Sequence, residues 1–352
     1  MLSFMPSEDL AFARGSLILV TGVSGMIAVH IADEALRAGF RVRGTTRSLE
    51  KGQAVTELLQ SPSFDFAVVE DMAADGAFLE ASEGASAIIH TASIHDFSSN
   101  LEDVRGPLVR GSMNVLKAAE ATSSVKRVVF TSTTGTAANP NPGSSFHVSR
   151  NTWNQTAVDL VKNTPPEDQI KMGFDWKMQV YRVAKIETEL AVWDYVEQNK
   201  SHFTVNVINP GLNFGKAMGS IGVSGSQVLS LLEGSVPRIP SLYMIDVVDD
   251  ARIHVAAAID AKVTGQRIFA CDEPFNWHLV TKIIQRLLPD AELPLSDPKE
   301  PLDISTIENG LGAKLLKKWW GQPGYKGLEQ SIQETVEMCL ERRNGDYKRR
   351  SP

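Results

Sequence analysis

Cysteine is nearly absent from this chain: Cys271 and Cys339 are the only two in 352 residues, in segments that read as a strand end and an amphipathic helix. A disulfide framework is therefore not expected, and a reducing compartment, the cytoplasm, is. No stretch approaches the roughly 20 apolar residues of a membrane span. Residues 1–14 contain Glu8 and Asp9 and lack a basic start followed by an apolar run, so no secretory signal is read there. Basic charge is scarce too. With a net charge of −7, and the one dense basic run, Lys348 to Arg350, in a tail read as solvated, the chain offers no field for a nucleic-acid backbone. The seven histidines show no zinc-helix spacing, and His90 and His95 read as a strand end and a loop residue, so no metal is expected. Tyrosine is rare as well, and of five only Tyr181 has a lysine four residues on, Lys185.

What is present is an alternation of short apolar runs and longer helical patterns, the order of an α/β fold with a Rossmann-type doubly wound parallel sheet. Strands are expected at Leu17 to Thr21, Arg41 to Thr46, Phe66 to Val69, Ala87 to His90, Arg127 to Thr131 and Thr204 to Ile208. Helices are expected at Gly25 to Ala38, around Gly76 to Ser82, at Leu101 to Ala121 and at Lys177 to Asn199. Between Pro140 and Phe174 the pattern dissolves into Pro, Asn, Ser and Trp, an irregular excursion near a site, with Trp153 and Trp176 as candidate pocket walls. Trp193, Trp319 and Trp320 read as packing residues. After a Gly- and Ser-rich stretch (Gly215 to Ser226) come a strand near Tyr243, a helix at Val247 to Asp260 and a strand at Arg267 to Ala270. Helices at Trp277 to Leu288, Leu311 to Trp320 and Gly327 to Leu340 complete a second lobe. Single cores stop growing at roughly 250 to 300 residues, so two units are expected. Residues 12–212, with 243–270 returning to them, form a cofactor domain; 213–242 and 271–345 form a smaller C-terminal α/β substrate lobe.

Thr21-Gly22-Val23-Ser24-Gly25-Met26-Ile27-Ala28 puts two glycines where the first strand turns into the first helix. Backbone there, at Gly22, Ser24, Gly25, Met26 and Ile27, can approach a pyrophosphate at the positive helix end. Ala28, in place of a third glycine, still permits close helix packing. An acid after the second strand would hold a ribose hydroxyl and repel a 2′-phosphate, but Arg41, Arg43 and Arg47 occupy this region with no acid until Glu50. Arg47 is the best candidate for a bidentate phosphate contact, Arg43 the second, and Ser48 a hydroxyl donor. NADP(H) is therefore expected over NAD(H). Asp71 and Met72 come after the third strand, where they either meet an adenine or, for Asp71, cap the next helix. Thr91, Ala92 and Ser93 offer small side chains where a cofactor lies against backbone.

Reduction of a carbonyl by a nicotinamide requires a proton donor and a polar group that orients the carbonyl. Tyr181 suits the first role. An ammonium one helical turn on, Lys185, would lower the phenol's pKa and bind the nicotinamide ribose. The second group is expected at the end of the fifth strand, where alternation sends Ser132 and Thr133 to different faces and only one meets the substrate. Asn209-Pro210-Gly211, with Leu212, comes after the sixth strand beside the nicotinamide amide. Glu187 and Glu189 read as solvated or locally paired.

Together, Val20-Thr21-Gly22-x-x-Gly25, Val42 to Ser48, Val69-Glu70-Asp71-Met72, Ser124 to Arg127, Tyr181-x-x-x-Lys185 and Trp320-Gly321-x-Pro323-Gly324 resemble the extended short-chain dehydrogenase/reductase family, in its branch of plant dihydroflavonol reductases and fungal carbonyl reductases. The likeness runs from about Gly15 to Leu340. It implies Tyr as acid, Lys as its tuner, and a carbonyl-binding hydroxyl that maps by position to Thr133, where the branch usually has Ser; Ser132 is the fallback. The asparagine that the flavonoid reductases carry has no match at Ala138, although Asn139 is adjacent.

The expectation is thus an NADPH-dependent reductase of a small aldehyde or ketone, apolar or aromatic to judge from Trp and Met around residues 153–178, with no nucleic-acid or membrane partner. The alternatives are a hydroxysteroid-like or sugar-nucleotide enzyme, or a non-catalytic NADP sensor.

Overall fold

The computed structural model describes residues 7–94, 97–237 and 239–343. The readings at His95 and at Lys348 to Arg350 lie outside the described residues. Seven parallel strands make the central sheet: β1 (Leu17–Thr21), β2 (Arg41–Thr46), β3 (Phe64–Val68), β4 (Ala85–His90), β5 (Arg127–Thr131), β7 (Thr204–Pro210) and β10 (Arg267–Ala270). Their order is β10-β7-β5-β4-β1-β2-β3. The short β6 (His147–Val148) pairs in parallel with β12 (Thr306–Ile307), and β8 (Leu212–Phe214), β9 (Leu242–Asp246) and β11 (Pro274–Phe275) form a second sheet of three strands.

Side chains that alternate along the inner strands enter two cores, which is why β1, β4 and β5 read as largely apolar runs. Ile18, Val20, Ile89 and Val129 pack into one core with α1 (Met26–Arg37), α8 (Val247–Ile259) and α10 (Gly310–Trp320). Leu17, Leu19, Ile88, Val128 and Phe130 pack into the other with α3 (Leu101–Ala121) and α6 (Phe174–Asn199). Each fully buried Ile, Leu or Phe contributes about 1.5–3 kcal/mol to this two-sided burial. β10 lies beside β7 in the main sheet, whereas α7 (Gly222–Leu232), α9 (Trp277–Leu287) and α11 (Leu328–Arg343) pack on the small sheet around Phe214, Phe275 and Trp277. No helix among the described residues is long and apolar enough to cross a membrane.

Four segments differ from the sequence reading. The stretch at Gly76 to Ser82 is a run of turns, not a helix. A helix does form where none was expected, α2 (Leu49–Leu59), capped by Ser48, whose hydroxyl accepts from the Lys51 N–H. The segment between Pro140 and Phe174 is not irregular throughout: it holds α4 (Gln155–Asn163), capped by Asn154, and α5 (Pro166–Met172). The Gly- and Ser-rich stretch runs into α7 from Gly222 on.

Candidate active site

Strand order reverses at β1, which has β2 on one side and β4 on the other, so a crevice opens beyond the carboxyl ends of β1 and β4. Thr21, the last residue of β1, knits its floor. Its Oγ1 accepts from the backbone N–H of Thr91 and of Ala92, both at 3.1 Å, and donates to His90 Nδ1 at 2.8 Å, while the Thr91 hydroxyl donates to the Thr21 carbonyl. Burial holds His90 well down, at about 3, so the ring is a neutral acceptor. Gly22 turns the chain at φ +66°, and a Cβ there would sit 2.9 Å from Ala92 Cα; both facts demand glycine.

α1 then starts at Met26 from Gly25, which offers no side-chain cap. The N–H groups of its first turn have no acceptor within the helix, which leaves them for an anion. The Ser93 hydroxyl is buried without a hydrogen-bond partner among the described residues. On the other side of the turn Ser24 shares a small depression with Leu58, Met218 and Gly219, residues that no sequence pattern places there.

The arginines separate. Arg43 Nε donates to Asp65 of β3 at 2.7 Å, and its Nη1 to the carbonyls of Ala81 and Glu83, so it is a structural residue and not a second phosphate ligand. Arg47 is exposed at the carboxyl end of β2 and has no hydrogen bond or ion pair among the described residues. Ser48 is engaged as the α2 cap. Asp71 is committed in part to the turn after β3, accepting from the Ala73 N–H at 2.8 Å, and Met72 lies against Gly111 of α3. A glycine turn under a free helix end, an orphaned hydroxyl and an unpaired arginine where a ribose acid would stand all fit a dinucleotide with a 2′-phosphate.

α6 crosses the other end of the crevice. Lys185, 8% exposed, donates from Nζ to the Thr131 carbonyl at the end of β5, 2.8 Å away. Burial lowers its pKa to about 8, with Glu189 opposing. Tyr181, one turn earlier, is half-buried, with Phe97 edge-on to its ring at 5.7 Å and Phe174 beyond. Burial pushes the phenol up to about 12, and the cation that opposes this is Arg182. The sequence reading assigned that task to Lys185.

The two hydroxyls after β5 have different duties. Ser132 donates to Glu189 Oε2 at 2.7 Å and is buried. Thr133 is partly open, and its Oγ1 accepts from the Gly135 N–H at 3.2 Å, which leaves the hydroxyl proton free to donate. Glu189 is neither solvated nor locally paired. It is buried beneath the strand ends, accepting from Ser132, from Thr136 at 3.1 Å, from Asn209 at 3.1 Å and from Arg267 Nε at 2.7 Å. Glu187 meets Arg105 of α3 at 3.0 Å.

Both candidate tryptophans are engaged by the protein itself. Trp176 is buried between α3 and α6 and donates to the Ser99 carbonyl, and Trp153 lies under the Arg267 guanidinium, 4.0 Å from it. At the end of β7 the chain passes through Pro210 to Gly211, where a Cβ would sit 2.5 Å from the Tyr243 carbonyl oxygen, and on to Leu212 in β8.

Residues 18–220 match the family described as NAD dependent epimerase/dehydratase. Aldehyde reductase 2 of Sporidiobolus salmonicolor is 32% identical over 340 residues, covering 94% of this chain and 97% of that protein. Ketoreductase adrE of Penicillium rubens is 35% identical over 333 residues, covering 91% and 95%. Among solved structures, yeast methylglyoxal/isovaleraldehyde reductase Gre2 complexed with NADPH superposes with a TM-score of 0.79 at 26% identity, over 93% of this chain and 99% of that one.

Proposed function

The chain belongs to the NAD dependent epimerase/dehydratase family, and from that premise we propose that it is an NADPH-dependent reductase converting an aldehyde or ketone into the alcohol. The observation that carries the reading is the arrangement at the end of β5: Lys185 on the Thr131 carbonyl, Ser132 tied to Glu189, and the Thr133 hydroxyl left free beside the helix that bears Tyr181.

Gly22, Ser24, Gly25, Met26 and Ile27 hold the pyrophosphate, Arg47 the 2′-phosphate, and Asp71 and Met72 flank the adenine. Thr91, Ala92 and Ser93 line the middle of the cofactor, and Pro210, Gly211 and Leu212 meet its nicotinamide end. When bound, NADPH supplies the hydride. Thr133 donates to the carbonyl oxygen and fixes its direction, Tyr181 delivers the proton to that oxygen, and Lys185 holds the ribose and stabilises the phenolate that results. A phenol raised by burial remains protonated at neutral pH, which suits an acid; the adjacent cations stabilise it only once the proton has left. Residues 12–212 with 243–270 carry the cofactor, and the lobe of 213–242 and 271–345, whose residues 238, 344 and 345 lie outside the described ones, receives the substrate. Phe97 and Phe174 favour an apolar or aromatic body on that substrate. Free, buried Cys271 and Cys339 support a cytoplasmic setting.

The test is loss of NADPH absorbance against a panel of ketones and aldehydes, with Tyr181→Phe alongside. The variant should be slower by about 10²–10⁴; equal rates in the two proteins would remove Tyr181 as the acid.

A further inference from the structure

Arg182, the residue after Tyr181, is 9% exposed, yet its guanidinium has no hydrogen bond and no ion pair among the described residues. Arg267, 6% exposed, is treated differently: it is held by Glu189, by Thr136 at 2.8 Å, by the Arg150 and Thr152 carbonyls and by the face of Trp153. An arginine carries five N–H donors and a permanent charge; none of the Arg182 nitrogens is sealed from solvent, so the stem is buried while unpaired donors stay open to an anion from outside.

Its position says what that something is. Residues 182, 185 and 189 form one stripe of α6. Along it Glu189 lies under Ser132 and Lys185 reaches the Thr131 carbonyl, so Arg182 is the member beyond the strand end. Its Cγ, Nε and Cδ lie 3.2, 3.5 and 3.6 Å from where a side chain on Gly135 would begin. Gly135 is the residue whose N–H holds the Thr133 hydroxyl. The Arg182 side chain thus packs along the turn that carries the carbonyl anchor, close enough to the Tyr181 phenol for its charge to act on it. Burial lowers its pKa to about 10, so it stays charged at neutral pH, and Asp175, the carboxylate that acts on it from a distance, is itself exposed.

We propose that Arg182 receives a carboxylate of the substrate, so that the preferred substrates are keto acids or aldehyde acids whose acid group lies within a few carbons of the reducible carbonyl. This rests on the reductase reading above and narrows it. The acid is a handle only: the carbonyl carbon gains the hydride, its oxygen gains the Tyr181 proton, and the carboxylate leaves unchanged on the product.

The experiment compares kcat/KM, with NADPH, for a series of keto acids and their methyl esters. In the wild type the acids should be favoured by roughly 10–100-fold, the range of a charge-assisted bidentate contact. In Arg182→Met the acid-to-ester ratio should collapse, mainly through KM of the acids, and Arg182→Lys should restore part of it. The ratio is taken within one protein, so partial misfolding of a variant does not affect it. Esters reduced as well as acids by the wild type, or a ratio unchanged in Arg182→Met, would overturn the proposal. Should neither acids nor esters turn over, the reductase reading falls instead. Calorimetric titration of a keto acid into the NADP-saturated protein then decides: binding that Arg182→Met abolishes upholds the carboxylate site, and no binding refutes it.

Discussion

The most exposed consequence of the structure concerns Glu189, a carboxylate whose side chain is 2% exposed and whose partner Arg267 is 4% exposed. Glu189→Ala leaves a buried guanidinium without its counter-charge, and removing one partner of a buried pair costs about 3–5 kcal/mol. Arg267 would keep Thr136, two backbone carbonyls and the Trp153 face, which argues for the lower half of that range. Against this, Ser132 and Asn209 lose an acceptor, at about 1 kcal/mol each. Glu189→Gln keeps the shape and an acceptor and should lose about 1.5–3 kcal/mol. Adding Arg267→Met to Glu189→Ala should recover stability relative to Glu189→Ala alone, because the orphaned charge goes too. Urea unfolding of these proteins, with the Arg267→Met single variant alongside, measures this directly. A Glu189→Ala protein within about 0.5 kcal/mol of wild type, or a double variant worse than the sum of the singles, would refute the buried-pair account.

Three further outcomes rest on the same geometry. Arg47→Ala should raise the dissociation constant for NADPH by roughly 10–100-fold and leave that for NADH nearly unchanged, as read by titration; an unchanged ratio defeats the phosphate assignment. Thr133→Val should lower kcat/KM by roughly 10²–10³. Ser132→Ala should instead lower the unfolding midpoint with little effect on rate, since its hydroxyl is spent on Glu189; the reverse pattern would exchange the two roles. With Lys185 depressed to about 8 by burial, kcat/KM should be level below that pH and decline above it as the ammonium loses its proton. Lys185→Arg should abolish that limb, and a profile level to about pH 10 in the wild type excludes Lys185 as the titrating group.

The inner strands were readable because they bury both faces and so read as short apolar runs, as in Leu17–Val20 and Val128–Phe130; β1, β2, β5 and β10 carry the bounds expected of them. The failures have one cause in common, which is structure without periodic burial. α5 buries no residue and α4 only Ala157, so neither leaves an apolar stripe in the sequence. Residues 76–82 have the opposite property. They bury Phe78 and Ala81 and look helical, but Gly76 and Gly84 both take positive φ and the chain closes in successive turns. α7 hides behind glycine and serine, poor helix formers in isolation, and is held by tertiary packing of Val228 and Leu231 against the small sheet.

In the site the same distinction separates what a spacing rule finds from what a fold must supply. Tyr181 and Lys185 are visible because their relation is local, four residues along one helix. The choice between Ser132 and Thr133 was not decidable by alternation, because β5 ends at Thr131 and the strand rule stops with it. What separates them is Glu189, which engages Ser132 and is itself paired with Arg267, 78 residues away in the sequence. The Asn209 amide joins the same carboxylate, so the strand ends that bear Thr133 and Pro210 are fixed by one charge. On the proposed roles, the helix that carries Tyr181 also leaves Thr133 as the hydroxyl open to a carbonyl, through the stripe that carries Arg182, Lys185 and Glu189. Two of those three charges have hydrogen-bond partners in the protein. Arg182 has none among the described residues, which is why the proposal above gives it the substrate's carboxylate as counter-ion.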